Sequence, residues 1–324
     1  MNRRTLLIVA IFLVALECAL RAGGVQPGRS DVSLVIEYDP SVGWRVSPGS
    51  RTAVIGAQSW KFSYTELDDS TRVVPCSECT SKSEGNIVVV GDSVMWGYGL
   101  SDEDTFAARL AAKMNTRRVI NAAAPGYGVL QSALRLRSLK VSKGQHVSDV
   151  ILGVSDYLTD RDVADLRWTV PSALAGTRLN IHLPFLQRAS DGSIEVVPAR
   201  AHFGELPLRN KLATVFLAEV LAEMPWALAR RWDSQELQAQ AFRILAQEAL
   251  AIGAKVTLFD WRSDSDTIFQ LLPLWRELGF RVLRCRQSVA EQPAGVIPGD
   301  NHPSAAVMDG AAECVAQGIK DSHA

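Results

Sequence analysis

The stretch Asn86–Leu100 reads NIVVVGDSVMWGYGL. Five residues with the character of a buried strand run directly into Gly91-Asp92-Ser93. An unbroken Ile/Val run without polar alternation fits a strand covered on both faces, as in a parallel sheet. In open sheets of that kind ligands bind beyond the carboxyl ends of the strands. Glycine allows a tight turn there. A serine just before a helix puts backbone N–H groups where an oxyanion can sit. A serine hydroxyl is a weak nucleophile without a base, so the reading turns on a histidine.

Outward from this stretch, strands and helices alternate. SDEDTFAARLAAKM (101–114) predicts a helix with Ser101 as its cap and acids in its first turn. RRVINAAAPG (117–126) predicts a strand and a turn, VLQSALRLRSLK (129–140) a helix, and SDVILGVSD (148–156) a strand. The pattern breaks between about 161 and 205, where a β-hairpin around Asp191-Gly192 is expected within an insertion. Asp233-Ser-Gln-Glu236 resembles a capping box that opens a helix. KVTLFDW (255–261) and FRVLRC (280–285) predict two more strands, and PSAAVMDGAAECVAQGI (303–319) a closing helix that Pro303 starts. Five β-α units give a three-layer α/β/α domain over 86–324, built on a doubly wound parallel sheet of about five strands. Residues 25–85, rich in Gly, Pro and Ser, read as a linker and an irregular leader.

The chain has five histidines: His146, His182, His202, His302 and His323. Only His302 lies between the last core strand and the last helix, in IPGDNHPS, with Asp300 two residues before it. A carboxylate beside an imidazole holds its tautomer and stabilises the imidazolium. Taken alone, Asp300 and His302 could equally be polar turn residues. The Gly-x-Ser-x-Gly elbow is absent, since Met95 stands at its second glycine. No phosphate-binding loop or dinucleotide fingerprint is present either.

Together, VVGDSVMWGYGL, VINAAAPGYG, VILGVSD and a late DNHPS resemble, in order, the blocks of the SGNH hydrolase superfamily, the GDSL-type esterases and lipases. The leader, with ECALR and then YDPSVGWRVSPGS, resembles membrane-anchored bacterial members. The resemblance implies a flavodoxin-like sheet and serine ester hydrolysis without metal or organic cofactor. Ser93 would be the nucleophile, His302 the base and then the acid, and Asp300 its orienting carboxylate. The oxyanion hole would be Ser93 N–H, Gly126 N–H and Ser155. Two positions depart from the family pattern. Ser155 stands where asparagine is usual, and Asp300 lies two residues before the histidine where three are common. The implied substrate is a small-molecule or polysaccharide ester, such as an O-acyl group on envelope glycan. Acyl transfer to a sugar hydroxyl, or glycan or partner binding by an impaired relative, are the alternatives.

Arg3 and Arg4 precede the apolar run TLLIVAIFLVALECAL (5–20), and Arg21 follows it. This is the plan of a signal peptide or signal anchor. Residues 1–24 read as an uncleaved anchor in the inner membrane, with the rest on the periplasmic side. Net charge is −1, from 34 basic and 35 acidic residues, so no polycationic face for nucleic acid is expected. Cys76 and Cys79, in CSEC, read equally as a local disulfide or a free pair, without the further ligands that zinc needs.

Overall fold

The computed structural model describes residues 2–25, 27, 34–55, 60–75, 85–114, 116–139, 146–155, 158–163, 183–199, 208, 211–218, 221, 234–261, 270–286 and 295–321. Two antiparallel hairpins come first, β1 (Ile36–Asp39) with β2 (Gly43–Val46) and β3 (Gly49–Ile55) with β4 (Trp60–Glu66). Then follow β5 (Asn86–Val90), β6 (Val119–Asn121) and β7 (Val147–Val154). A third hairpin, β8 (Phe185–Arg188) with β9 (Ile194–Val197), precedes β10 (Lys255–Asp260) and β11 (Arg281–Arg284).

Five of these strands form a parallel sheet in the order β6-β5-β7-β10-β11. The order reverses at β5, which places the topological switch point between β5 and β7. Side chains alternate across the sheet. Val88, Val90, Val150 and Leu152 join one core with the helices Val129–Ser138 and Ser234–Ala251. Ile87, Val89 and Ile151 join the other core with Phe106–Lys113 and Ala305–Lys320. Burying each such side chain contributes about 1.5–3 kcal/mol, and a strand buried on both faces gains on both.

Several details differ from the sequence expectation. The helix expected from Ser101 starts at Phe106, capped by Thr105, whose Oγ1 accepts from Ala108 N–H at 3.2 Å. Residues 102–104 form a 3₁₀ turn instead, because the Asp102 carboxylate is drawn to Arg72 Nε at 2.8 Å. The last helix begins at Ala305, and Pro303 bridges back to Val296. The Asp191-Gly192 turn joins β8 to β9, as read. Asp233 of the expected capping box lies outside the described residues, as do Cys76 and Cys79.

The leader is not irregular where it is described. Trp44 is fully buried, donates from Nε1 to Pro125 O at 2.8 Å and meets Tyr127 edge-on. Arg72, also buried, donates to the carbonyls of Trp96, Gly97 and Leu100 and lies over the Trp96 ring. Its backbone N–H donates to Asn121 O at the outer edge of β6. Cys285, after β11, is disulfide-bonded to Cys314 of the last helix.

Arg3–Ala22 is a 20-residue apolar helix, the length of a membrane anchor or a signal sequence. Glu17, the one acid in it, accepts from Ala213 N–H, Thr214 N–H and Thr214 Oγ1, each at 2.9 Å.

Candidate active site

β5 ends at Val90 and is followed by Gly91, whose φ is +134°. A Cβ there would stand 2.7 Å from Met95 Cγ, so the turn admits only glycine. Ser93 then opens the one-turn helix Ser93–Trp96. Asp92 caps it, accepting from Val94 N–H at 3.0 Å. Its other oxygen faces Arg161 Nη1 at 3.3 Å. Asp92 is a support for the turn.

Two Pro-Gly turns bring up the remaining groups. In Ala124-Pro125-Gly126-Tyr127, Tyr127 N–H donates to Ala124 O at 3.2 Å and Gly126 has φ +86°. Proline second and a positive-φ glycine third make this a type II turn. Ala124 N–H donates to Gly91 O at 3.1 Å, which ties it to the serine turn. In Ile297-Pro298-Gly299-Asp300 the same device recurs, with Asp300 N–H on Ile297 O at 3.0 Å.

That second turn delivers His302. Its Nε2 lies 2.8 Å from Ser93 Oγ, and its Nδ1 meets Asp300 Oδ1. Asp300 Oδ1 also accepts from His302 N–H at 2.8 Å, so a two-residue spacing is enough to set the carboxylate beside the ring. An ionised carboxylate only accepts, so Nδ1 carries the proton and Nε2 is left to accept from Ser93 O–H. The hydrogen bond from His302 holds the Asp300 carboxyl below its ordinary range, against the opposing effect of burial. The Tyr98 ring lies 4.7 Å from the His302 ring, and burial pushes its phenol up to about 12. Trp96, by contrast, is fully buried in the core and donates to Glu66 Oε2 at 3.2 Å.

Three hydrogen-bond donors surround this serine turn with nothing to donate to among the described residues. They are Ser93 N–H, Gly126 N–H and the hydroxyl of Ser155, whose buried Oγ has no partner. They follow the adjacent strands β5, β6 and β7 at one sheet edge. A base on a hydroxyl beside unsatisfied donors is chemistry suited to attack on a carbonyl and capture of the resulting oxyanion. Among the described residues, no cluster of three or more His, Cys, Asp or Glu could hold a metal ion.

The structure thus brings Ser93, His302 and Asp300 into contact, with Gly126 and Ser155 on the flanking strand ends. His146 sits at the opposite, amino-terminal edge, where Asn86 N–H donates to its carbonyl. His182, His202, His323 and Asp156 lie outside the described residues. Arg72 and Arg161 escaped the sequence reading, because an isolated arginine carries no periodicity or motif.

No family model matches this chain, and no curated protein does. Solved structures similar to it include TesA, at 16% identity over 73% of this chain and 98% of that one, with a TM-score of 0.41. A member of the lipolytic protein G-D-S-L family from Veillonella parvula shares 12% identity over 72% of this chain and 96% of that one, with a TM-score of 0.40. The psychrotrophic esterase EstA from Pseudoalteromonas sp. shares 11% over 73% and 100%, also at 0.40. Identities and TM-scores this low assign neither an activity nor a site to this chain.

Proposed function

We propose that this protein is a serine ester hydrolase of the SGNH type. The observation that carries the proposal is the continuous chain from Ser93 Oγ through His302 to Asp300 at the switch-point edge of a parallel sheet. His302 Nε2 takes the Ser93 proton as Oγ attacks an ester carbonyl. The oxyanion forms against Ser93 N–H, Gly126 N–H and the Ser155 hydroxyl. The imidazolium returns the proton to the leaving alcohol, and an acyl-serine remains. Water, deprotonated by His302, then releases the acid and restores the serine.

The proposed setting is extracytoplasmic, with the 3–22 helix as an inner-membrane anchor. Arg3 and Arg4 favour that orientation. The Cys285–Cys314 disulfide suits an oxidising compartment. The Glu17 contacts with Ala213 and Thr214 support a retained anchor over a removable leader. O-acyl groups on envelope or extracellular polysaccharide are the substrates such a tether would reach.

The test is labelling of the full-length protein in detergent with a fluorophosphonate probe, alongside turnover of p-nitrophenyl acetate. Wild type should label and turn over, and Ser93→Ala should do neither while keeping the wild-type melting curve. Full turnover by Ser93→Ala would remove Ser93 from the mechanism.

A further inference from the structure

The third block of the site lacks the usual amide at position 155, yet the short helix that follows grips the other two blocks. Leu158–Asp162 begins three residues after Ser155, with Leu158 N–H on Ser155 O at 3.2 Å. From it Arg161 donates through Nη1 to Tyr127 O at 2.6 Å and pairs with Asp92 at 3.3 Å. The next residue, Asp162, accepts from Leu130 N–H at 2.8 Å. Gly128 lies between these two grips. A Cβ on it would stand 2.4 Å from Asp162 Oδ1 and 3.0 Å from Arg161 Cβ. The chain leaving the Gly126 turn is therefore held on both sides of Gly128 by one dipeptide, and Asp92 beside Ser93 is held by the same guanidinium.

We infer that Arg161 is a positioning residue that fixes the Gly126 and Ser93 donors against each other, supplying from the third block the alignment of the oxyanion hole. One end of the geometry is Tyr127, the residue after Gly126. With its O held by Arg161 and its N–H held by Ala124 O, the end of the turn next to the Gly126 N–H is anchored. The other end is Asp92, whose remaining oxygen caps the Ser93 helix. Arg161 also neutralises Asp92. Both side chains are under 10% exposed, so an uncompensated Asp92 carboxylate would stand next to the developing oxyanion with no solvent to screen it. Lysine cannot copy this, because it is a point charge without the planar fork of arginine.

This role rests on the ester-hydrolase reading, and the experiment separates the two. The full-length protein is assayed with p-nitrophenyl acetate as wild type, Ser93→Ala, Arg161→Ala and Arg161→Lys, with melting curves for each. If wild type is inactive, or Ser93→Ala is as active as wild type, the hydrolase reading fails. With that reading intact, Arg161→Ala should lower kcat roughly tenfold to a hundredfold, less than the loss of a whole oxyanion donor. KM should stay within about twofold, since the donors strengthen their hold mainly in the transition state. Added methylguanidinium should recover part of the lost kcat in Arg161→Ala and change wild type little. Arg161→Lys should fall between the two and gain nothing from methylguanidinium, since its own side chain fills the site. A kcat within threefold of wild type in Arg161→Ala overturns the inference. So does a loss shared equally by kcat and KM that methylguanidinium leaves unchanged. If Arg161→Ala does not fold, Arg161→Lys decides: kcat at the wild-type level overturns the inference, and a drop at unchanged KM upholds it.

Discussion

The two ends of the central sheet carry different polar groups, an ion-paired carboxylate at one and unpartnered donors at the other. At the amino-terminal end, Asp149 of β7 is bracketed by Arg117 and Arg281, and Arg117 also reaches Ser148 and Gly85 O. At the carboxyl-terminal end, three donors are left with nothing to donate to among the described residues, next to a serine held by a histidine. An unsatisfied buried donor costs about 1–3 kcal/mol, and the Ser155 hydroxyl is one, with the partly exposed Ser93 and Gly126 N–H groups at the same edge. The first arrangement serves stability, and the second fits the edge at which the proposed hydrolase would receive its ester.

The sharpest way to break this comparison is at Asp300. Asp300→Asn keeps the shape of the loop but offers the imidazole an amide, which does not enforce the tautomer with its proton on Nδ1. A drop in kcat on the order of 10³–10⁴ is expected, with an unchanged melting temperature, by analogy with the same substitution in a Ser-His-Asp triad. A kcat near wild type would mean that Ser93 and His302 work as a dyad. Next in size is the opposite end. Among the described residues, Arg117→Met leaves Asp149 paired with Arg281 alone, at 3.7 Å, and removing one partner of a buried pair costs about 3–5 kcal/mol. The urea midpoint should fall accordingly, while kcat of the folded fraction stays within about twofold. A matching fall in kcat would show that the two ends are not separate.

How much of this was legible depends on whether the residues signal locally. The Val run of β5, the Gly91 turn and the Pro-Gly turns before Tyr127 and Asp300 are local, and they led to the sheet and to the serine and histidine loops. The leader was misread because its hairpins are stabilised from outside. Trp44 and Arg72 acquire their meaning only from Pro125, Trp96 and Leu100, far along the chain. Nothing in YDPSVGW reveals that its tryptophan is fully buried. Trp96 and Tyr98 are both aromatics just past β5, and the left-handed Gly97 between them leaves one in the core and the other against His302. The Arg161 grip was invisible for the same reason, as was the pairing of Cys285 with Cys314.

A smaller effect is expected at Ser155. Its hydroxyl has no partner among the described residues, so it can donate to an oxyanion, though it can also rotate away. Asparagine would carry an N–H further and in a fixed plane. Ser155→Asn should raise kcat about tenfold, part of the value of one full donor, with KM little changed. Ser155→Ala should lower kcat. If alanine matches wild type and asparagine gains nothing, the carboxyl end of β7 does not face the oxyanion, and only two donors serve it.

A last contrast sets two buried carboxyls side by side. Asp149 has arginines close on both sides, whereas Glu66, beneath the serine helix, has the Trp96 N–H at 3.2 Å as its hydrogen-bond donor. Burial pushes the Glu66 carboxyl up from 4.5 to about 8, although Trp96 and the charges of Arg72 and Arg135 pull the other way. Between those values the folded protein holds a proton that the unfolded chain has released. Stability from Glu66 is therefore full below about pH 4.5 and is lost as pH rises toward 8, by at most about 1.4 kcal/mol per pH unit. Glutamine resembles the protonated form and keeps an acceptor for Trp96. Glu66→Gln should leave the urea midpoint at pH 5 nearly unchanged and raise it at pH 8, which flattens the profile in that window. Parallel profiles for variant and wild type would mean that Glu66 is ionised in the folded state. The arginines would then bracket it as they do Asp149, and in this respect the two ends of the sheet would be alike.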